Sequence, residues 1–394
     1  MYFFRFVQMG MLCFTVLNTN LQPNCNMKEI RAIIEAYNSA IPGVKAALAT
    51  VVRVEGSSYR RTGARMLVWE DGNFLGGISG GCLEGDALRR AQKAIAMHKP
   101  SVITYDTTQE DASQIGVGLG CNGIIDVLFT PLHKEDANNP IVLLASVVNT
   151  RTPRCMVTIM ATTTDEQTYL GEAWLFTDDA AFKQIFPFAT VVDELITTIH
   201  LAVDKKQSLV YTATGQNAAL KIFIEIIEPV VQLFIFGAQY DVLPLVQCAA
   251  ALGWQATVVA NPAKIGKAVF GAATAVLHPD GINHLPIDGY SAMVLMAHDY
   301  KTDLRHLRFA LTTKANYIGL LGPKKRSNKM FDELGATMVV TENDYQRIYA
   351  PAGLDIGANN PEEIALSIIA EIRSCFAGRK GMSLKLREGS IYSN

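Results

Sequence analysis

The chain has 394 residues, enough at ~150 residues per domain for two or three domains with sizeable cores. Hydrophobic residues make up 49% and charged residues 18%, which excludes a disordered or acidic-tail protein and points to large buried cores and a subunit interface. Lys plus Arg total 35 against 37 Asp plus Glu, a net charge of −2, so no global field draws the chain to nucleic acid or to an anionic membrane.

Residues 1–26 read as an extension ahead of the folded chain. The apolar stretch Val7–Leu17 is 11 residues, interrupted by Gln8, whereas a membrane span needs ~20. It has the length of a signal-peptide core, but only Arg5 supplies positive charge and no Ala-x-Ala-like site follows, so a disordered extension is expected. The seven cysteines are scattered, with no C-x-x-C pair, as in a reduced, cytosolic thiol set.

A cofactor-type domain is expected over 27–135. Ile30, Ile33, Ile34 and Tyr37 make one apolar helical stripe, ended by Pro42-Gly43. Ala46–Val54 reads as a buried strand, and Arg65–Trp69 with Phe74–Ile78 flank Asp71-Gly72 as a hairpin. Leu83–His98 is helical, and Val102–Tyr105 and Ile124–Phe129 are strands. Residues 136–229 are a connecting segment that either completes the first sheet or bridges two domains; Met156–Thr163 reads as a strand and Phe188–Val203 as a helix. From 230 to 378 strands and helices alternate. Val230–Phe236, Ala256–Ala260, Ala292–Met296, Tyr317–Leu321 and Ile348–Ala350 are strands. Helices are expected at Asp241–Leu252, Thr302–Thr313, Lys324–Leu334 and Asn360–Phe376, the last with Asn360 as cap, Pro361 at the first position and Glu363 as reciprocal partner. The fold class is α/β: an N-terminal α+β domain with glycine-rich cysteine loops, then a Rossmann-like doubly wound parallel sheet. Residues 379–394 form a tail.

Two glycine loops each hold one cysteine. In Ser79-Gly80-Gly81-Cys82-Leu83-Glu84-Gly85-Asp86 the glycines allow a tight turn and close ligand approach. Free N–H groups at the helix start suit an anion, and the dipole there favours a Cys82 thiolate, a soft ligand and nucleophile. The competing reading is a small buried cysteine beside a tight turn. Cys121 sits in Gly118-Leu119-Gly120-Cys121-Asn122-Gly123, and two such loops in one block suggest a shared site without zinc spacing. Arg60, Arg61 and Arg65, beside Ser57 and Ser58, either grip a phosphate through bidentate forks or form a solvated loop.

Together the Gly56–Met66 run and these two loops resemble the XdhC/CoxI family. Phe236-Gly237-Ala238, Met296-Ala297-His298-Asp299, Tyr317–Gly322 and Gly353–Gly357 resemble its Rossmann domain. The resemblance spans about residues 30–378. It implies a maturation factor for a molybdenum hydroxylase of the xanthine dehydrogenase or carbon monoxide dehydrogenase type, an accessory protein rather than the dehydrogenase. Such a factor binds molybdenum cofactor (molybdopterin), works with a cysteine desulfurase and delivers to the apo-hydroxylase. The implied cofactor-binding residues are Gly80, Gly81, Cys82, Glu84, Gly120, Cys121, Arg60, Arg61, Arg65, Gly237 and Asp241, with Cys82 and Cys121 as molybdenum ligands. A cytoplasmic homodimer is expected, with neither nucleic acid nor membrane as partner.

The Rossmann turn departs from the dinucleotide fingerprint. Gln239 stands at the second glycine of G-x-G-x-x-G and Val242 at the third, and Asn261 where an acidic residue would hold the ribose. NAD binding is therefore doubtful. His298 is placed for acid–base work, or is a structural histidine bonded to a loop carbonyl. Lys324-Lys325-Arg326 is either a phosphate or partner surface or a plain basic face, and Arg326 matches the family's arginine. The alternative function is a nicotinamide-dependent oxidoreductase using His298.

Overall fold

The computed structural model describes residues 27–108, 123–162, 169–214 and 219–388. The chain divides into two units, one ending at Glu228 and the other running Pro229–Glu388.

In the first unit, α1 (Met27–Ser39) buries Met27, Ile30, Ile33 and Tyr37, as its periodicity predicts. Then follow β1 (Ala46–Gly56), β2 (Arg65–Trp69), β3 (Phe74–Gly76), α2 (Glu84–Met97), β4 (Ser101–Asp106) and β5 (Gly123–Leu132). The strands form an antiparallel sheet in the order β3-β2-β1-β5-β4. Side chains alternate along β1: Ala47, Ala49 and Val51 pack with Ala87, Ala91 and Ala94 of α2, while Ala46 and Leu48 pack with Ile33 and Tyr37 of α1. Alanines on both partners let α2 lie close to the sheet.

The connecting segment belongs to the first unit but does not lengthen this sheet. It holds α3 (Pro140–Val147), β6 (Arg154–Thr162), β7 (Ala173–Phe176), α4 (Asp179–Ile185), α5 (Val192–Asp204), β8 (Leu209–Thr214) and β9 (Ala219–Ile227). Its strands make a second antiparallel sheet, β7-β6-β9-β8. One face packs Val157, Ile159, Ile222 and Ile224 on Phe182 of α4 and on Leu195 and Ile199 of α5. The other packs Met160, Val210 and Phe223 on Val52 and Leu128 of the first sheet.

The second unit holds β10 (Gln232–Phe236), α6 (Val242–Ala251), β11 (Gln255–Val259), α7 (Lys267–Ala272), β12 (Ala275–Leu277), β13 (Ser291–Leu295), α8 (Tyr300–Leu311), β14 (Tyr317–Leu320), α9 (Lys324–Gly335), α10 (Glu342–Gln346), β15 (Ile348–Tyr349) and α11 (Pro361–Phe376). Every strand pair is parallel, in the order β12-β11-β10-β13-β14-β15. That is the Rossmann order 3-2-1-4-5-6, with its switch point between β10 and β13. Leu233 and Ile235 face α6 and α11, while Phe234 and Phe236 face α8 and α9, so helices cover both sides. Strand β12 and helix α7 had no distinct signal in the sequence. The last helix is capped by Asn360 Oδ1, which accepts from Glu363 N at 2.9 Å; the reciprocal Glu363 Oε2 accepts from Asn359 N at 3.0 Å rather than from the cap residue itself.

Candidate functional site

The cysteine loop of the first unit is shaped by one carboxylate. Glu84, the first residue of α2, turns back and accepts from Ser79 N at 2.8 Å, Gly81 N at 3.0 Å and Ile78 N at 3.2 Å, and also pairs with the Ser79 hydroxyl. Burial pulls the Glu84 pKa up, but the hydrogen bonds from Ser79 and Gly81 outweigh it and hold the carboxyl below its ordinary value. Ser79 Oγ in turn accepts from Leu83 N at 3.0 Å, serving the helix start that Leu83 itself cannot cap. Glu84 therefore acts as the organiser of the loop, and the N–H groups of Ile78, Ser79 and Gly81 are already spent on it.

Gly81 takes φ +112°, a conformation that a Cβ would oppose. Gly80 lies under the Tyr59 ring, whose atoms stand 3.2 Å from where a Cβ would be. Cys82 follows at the rim of the loop, exposed and free. The buried-cysteine reading is thus overturned for Cys82, while Cys155, 2% exposed, fits that description. Gly120 and Cys121 lie outside the described residues. The strand that follows them begins at Gly123, where a Cβ would meet Ser57 O at 2.4 Å. Among the described residues no group of three or more His, Cys, Asp or Glu side chains could hold a metal ion.

The arginines do not form a phosphate clamp. Arg65 is 1% exposed; its NH2 donates to Glu225 at 2.5 Å and its NH1 to Gly63 O at 2.7 Å. Arg61 is buried and its NH1 reaches Gly56 O at 3.3 Å. Arg60 donates to both oxygens of Glu29, at 2.7 and 2.6 Å, and keeps 25% of its side chain exposed. The expectation that these three cations face a ligand is corrected: two are buried inside the unit, and Arg60 alone retains an open side. Glu225 carried no signal in the sequence, because its partner lies 160 residues away.

In the second unit Gly237 follows β10. A Cβ there would lie 2.6 Å from Met296 O, so the close approach of neighbouring backbone already demands glycine. Asp241, just before α6, accepts from His298 Nε2 at 2.7 Å. The structural reading of His298, a bond to a loop carbonyl, is replaced by this hydrogen bond to a carboxylate. His298 has φ +59°, and its side chain is 48% exposed against 12% for Asp241. Further along, Arg326 of α9 pairs with the buried Asp303 at 2.7 Å and donates to Leu321 O at 3.3 Å. Burial pushes the Asp303 carboxyl up despite Arg326 and the Ala297 N–H. Of the basic run at the start of α9, Lys324 and Lys325 are exposed and Arg326 is structural. Asn261 caps a short turn, accepting from Ala263 N at 3.0 Å.

Sequence profiles of known families match twice, the XdhC and CoxI family over residues 42–106 and the XdhC Rossmann domain over residues 233–372. A Bacillus subtilis protein named as a probable xanthine dehydrogenase subunit is 30% identical over 334 residues, covering 83% of this chain and 92% of that protein. The chain belongs to the XdhC and CoxI family. The molybdenum cofactor insertion chaperone PaoD of Escherichia coli is 26% identical over 350 residues, 88% of this chain and 87% of PaoD. A crystal structure described as a xanthine dehydrogenase from Bacillus halodurans superposes with a TM-score of 0.70 at 28% identity, covering 90% of this chain and 97% of that one. The first matched segment holds the Cys82 loop and the arginines; the second holds Asp241, His298, Asp303 and Arg326. Glu225 falls between the two. No helix among the described residues is long and apolar enough to cross a membrane.

Proposed function

We propose that this chain carries molybdenum cofactor as cargo and delivers it to an apo molybdenum hydroxylase of the xanthine dehydrogenase type, as an accessory factor and not as the dehydrogenase. The observation that carries the reading is Cys82: a free, exposed thiol on a preformed glycine loop at the head of α2. A cysteine sulfur there is a soft ligand suited to molybdenum. PaoD, named as an insertion chaperone for this cofactor, supports the reading. So does the Bacillus subtilis relative, whose name ties it to xanthine dehydrogenase. Cys121 is the proposed second thiolate. Gly123, at the start of β5, lies against Ser57, and Tyr59, two residues beyond Ser57, lies against Gly80. Arg60 is the one arginine of its cluster proposed to meet the pterin phosphate. A cysteine desulfurase is the proposed sulfur source, and a cytoplasmic homodimer the proposed working form.

The experiment is purification with cofactor supplied, followed by molybdenum and pterin analysis. Cys82→Ser keeps the size and removes soft-ligand character, so retention and activation of the client should both fall while Cys248→Ser and Cys375→Ser retain cofactor. Wild-type stoichiometry in Cys82→Ser and in Cys121→Ser would remove both thiols from the site. The second reading, a nicotinamide-dependent oxidoreductase, has the Asp241–His298 pair in its favour. Gln239 and Asn261 stand against it.

A further inference from the structure

We infer that the open edge of β4, with the basic cleft between that strand and α2, docks a partner protein through an extended acidic segment that joins the first sheet as a further antiparallel strand. The surface lies at the opposite end of α2 from the Cys82 loop, about 20 Å along the helix, and stands whether or not that loop holds the cofactor.

Strand β4 closes one side of its sheet, with β5 as its one neighbour. The register decides which backbone groups are left over. Just past the strand, Thr107 N donates to Gly123 O at 2.9 Å, continuing the pairing that sets Asp106 against Ile124. Bonded and non-bonded pairs alternate along an antiparallel ladder. Tyr105, Ile103 and Ser101 therefore turn their N–H and C=O groups to β5, while Val102, Thr104 and Asp106 turn theirs outward. No described residue bonds to the outward backbone groups of Val102 and Thr104. Thr104 and Asp106 are exposed. Strand edges are commonly blunted by Lys, Pro or a bulge; β4 has none of these, and Val102, Ile103, Thr104 and Tyr105 all favour a strand.

Beside this edge lies a cleft of about 170 Å³, with Arg90, Lys93 and Met97 of α2 on one side, Ile103 of β4 on the other, and Lys99 in the turn between them. Met97 is 57% exposed. Asp86 offsets Arg90 at 3.2 Å, but Lys93 and Lys99 have no ion-pair partner among the described residues. Ile103 and Tyr105 face α2, whereas Val102 faces the second sheet. Directly opposed residues of paired strands share a face. In an added strand, residues opposite Ile103 and its like-facing neighbours would therefore look into the cleft, and those opposite Val102 and Thr104 would carry the backbone bonds.

Charge selects the occupant. A second copy pairing β4 with β4 about a two-fold axis would bring two basic clefts to one interface, like charge against like. A nucleic acid would satisfy the lysines but not a row of alternating N–H and C=O groups. An extended peptide answers that row, and carboxylates flanking one apolar side chain answer the basic rim and the apolar wall of the cleft.

The test uses the full chain and a synthetic peptide, acetyl-Glu-Thr-Leu-Thr-Glu-amide, read by amide hydrogen exchange resolved to single residues of β4. In the free chain the Val102 and Thr104 amides should exchange roughly tenfold faster, or more, than those of Ile103 and Tyr105. The peptide should slow them with a Kd on the order of 100 μM at low salt, and added salt should weaken it. Lys93→Glu combined with Lys99→Glu should weaken binding about tenfold with the fold intact by circular dichroism, and so should exchanging the two glutamates of the peptide for lysines. Methylating the backbone nitrogens of both peptide threonines, which face β4 in an antiparallel pairing, should abolish the protection; methylating that of the leucine should leave it. Val102 and Thr104 amides already protected in the free chain would assign the edge to a second copy and overturn the proposal. No binding at about 1 mM peptide, binding indifferent to the double variant, or binding that survives threonine methylation would each overturn it as well. Molybdenum retention by the thiol loop is a separate readout, so failure of the two readings is distinguishable.

Discussion

Arg65 is the residue whose role the structure changes most, and replacing it separates a ligand contact from a structural ion. Its guanidinium is 1% exposed and Glu225 is 3% exposed on the side chain, with 2.5 Å between NH2 and Oε2. Arg65→Met keeps a chain of similar reach but leaves the Glu225 carboxylate buried and uncompensated. Breaking such a pair from one side costs about 3–5 kcal/mol. Replacing both partners with apolar residues, as in Arg65→Met with Glu225→Leu, removes two desolvation penalties at once and should return to within about 1–2 kcal/mol of the wild type. The pair joins β2 to β9, so the loss belongs to the first unit. Urea unfolding read by hydrogen exchange on β2 and β9 peptides isolates it from the second unit. A single variant that loses less than about 1 kcal/mol, while its cofactor retention collapses, would refute the structural reading and restore Arg65 as a ligand contact.

His306 is 3% exposed, packs its ring 4.9 Å from Phe236, and neither ring nitrogen has a hydrogen-bond partner, so burial lowers its pKa from 6.5 to about 4. The folded state therefore refuses a proton that the unfolded chain accepts; stability is complete above pH 6.5 and falls as pH drops toward 4, by at most about 3 kcal/mol, a slope that His306→Leu should flatten in pH-dependent unfolding. Gly237→Ala should destabilise the second unit by about 2 kcal/mol or more, since its Cβ would press on Met296 O, and thermal unfolding of the variant should show a lowered midpoint. Among the described cysteines, Cys82 should be labelled first by a thiol reagent in the native protein and Cys155 should resist until unfolding, because burial pushes the Cys155 thiol far up; mass spectrometry of the labelled peptides checks the order.

Much of the fold was legible along the chain. Helix α1, the β2–β3 hairpin, helix α2 and the alternation after Pro229 all follow from local periods and turn residues. Each depends on neighbours within a few positions. In the connecting segment β6 and α5 were legible but β9 was not. It is covered on both faces, and its apolar run Ile222 to Ile224 loses the period-two alternation that marks a half-buried strand. Exposure and partnership were decided only in three dimensions. The sequence by itself placed Cys82 on a glycine loop before a helix, but only the folded loop shows the thiol outside and Glu84 holding the turn. It marked Arg65 as a cation beside serines, yet the pairing with Glu225 spans 160 residues and two sheets. It set Asp241 and His298 in separate motifs 57 residues apart, and the parallel pairing of β10 with β13 brought them to 2.7 Å. Local chemistry is written in spacing, but an ion pair between distant strands depends on how the sheets close, and no window of sequence contains both partners.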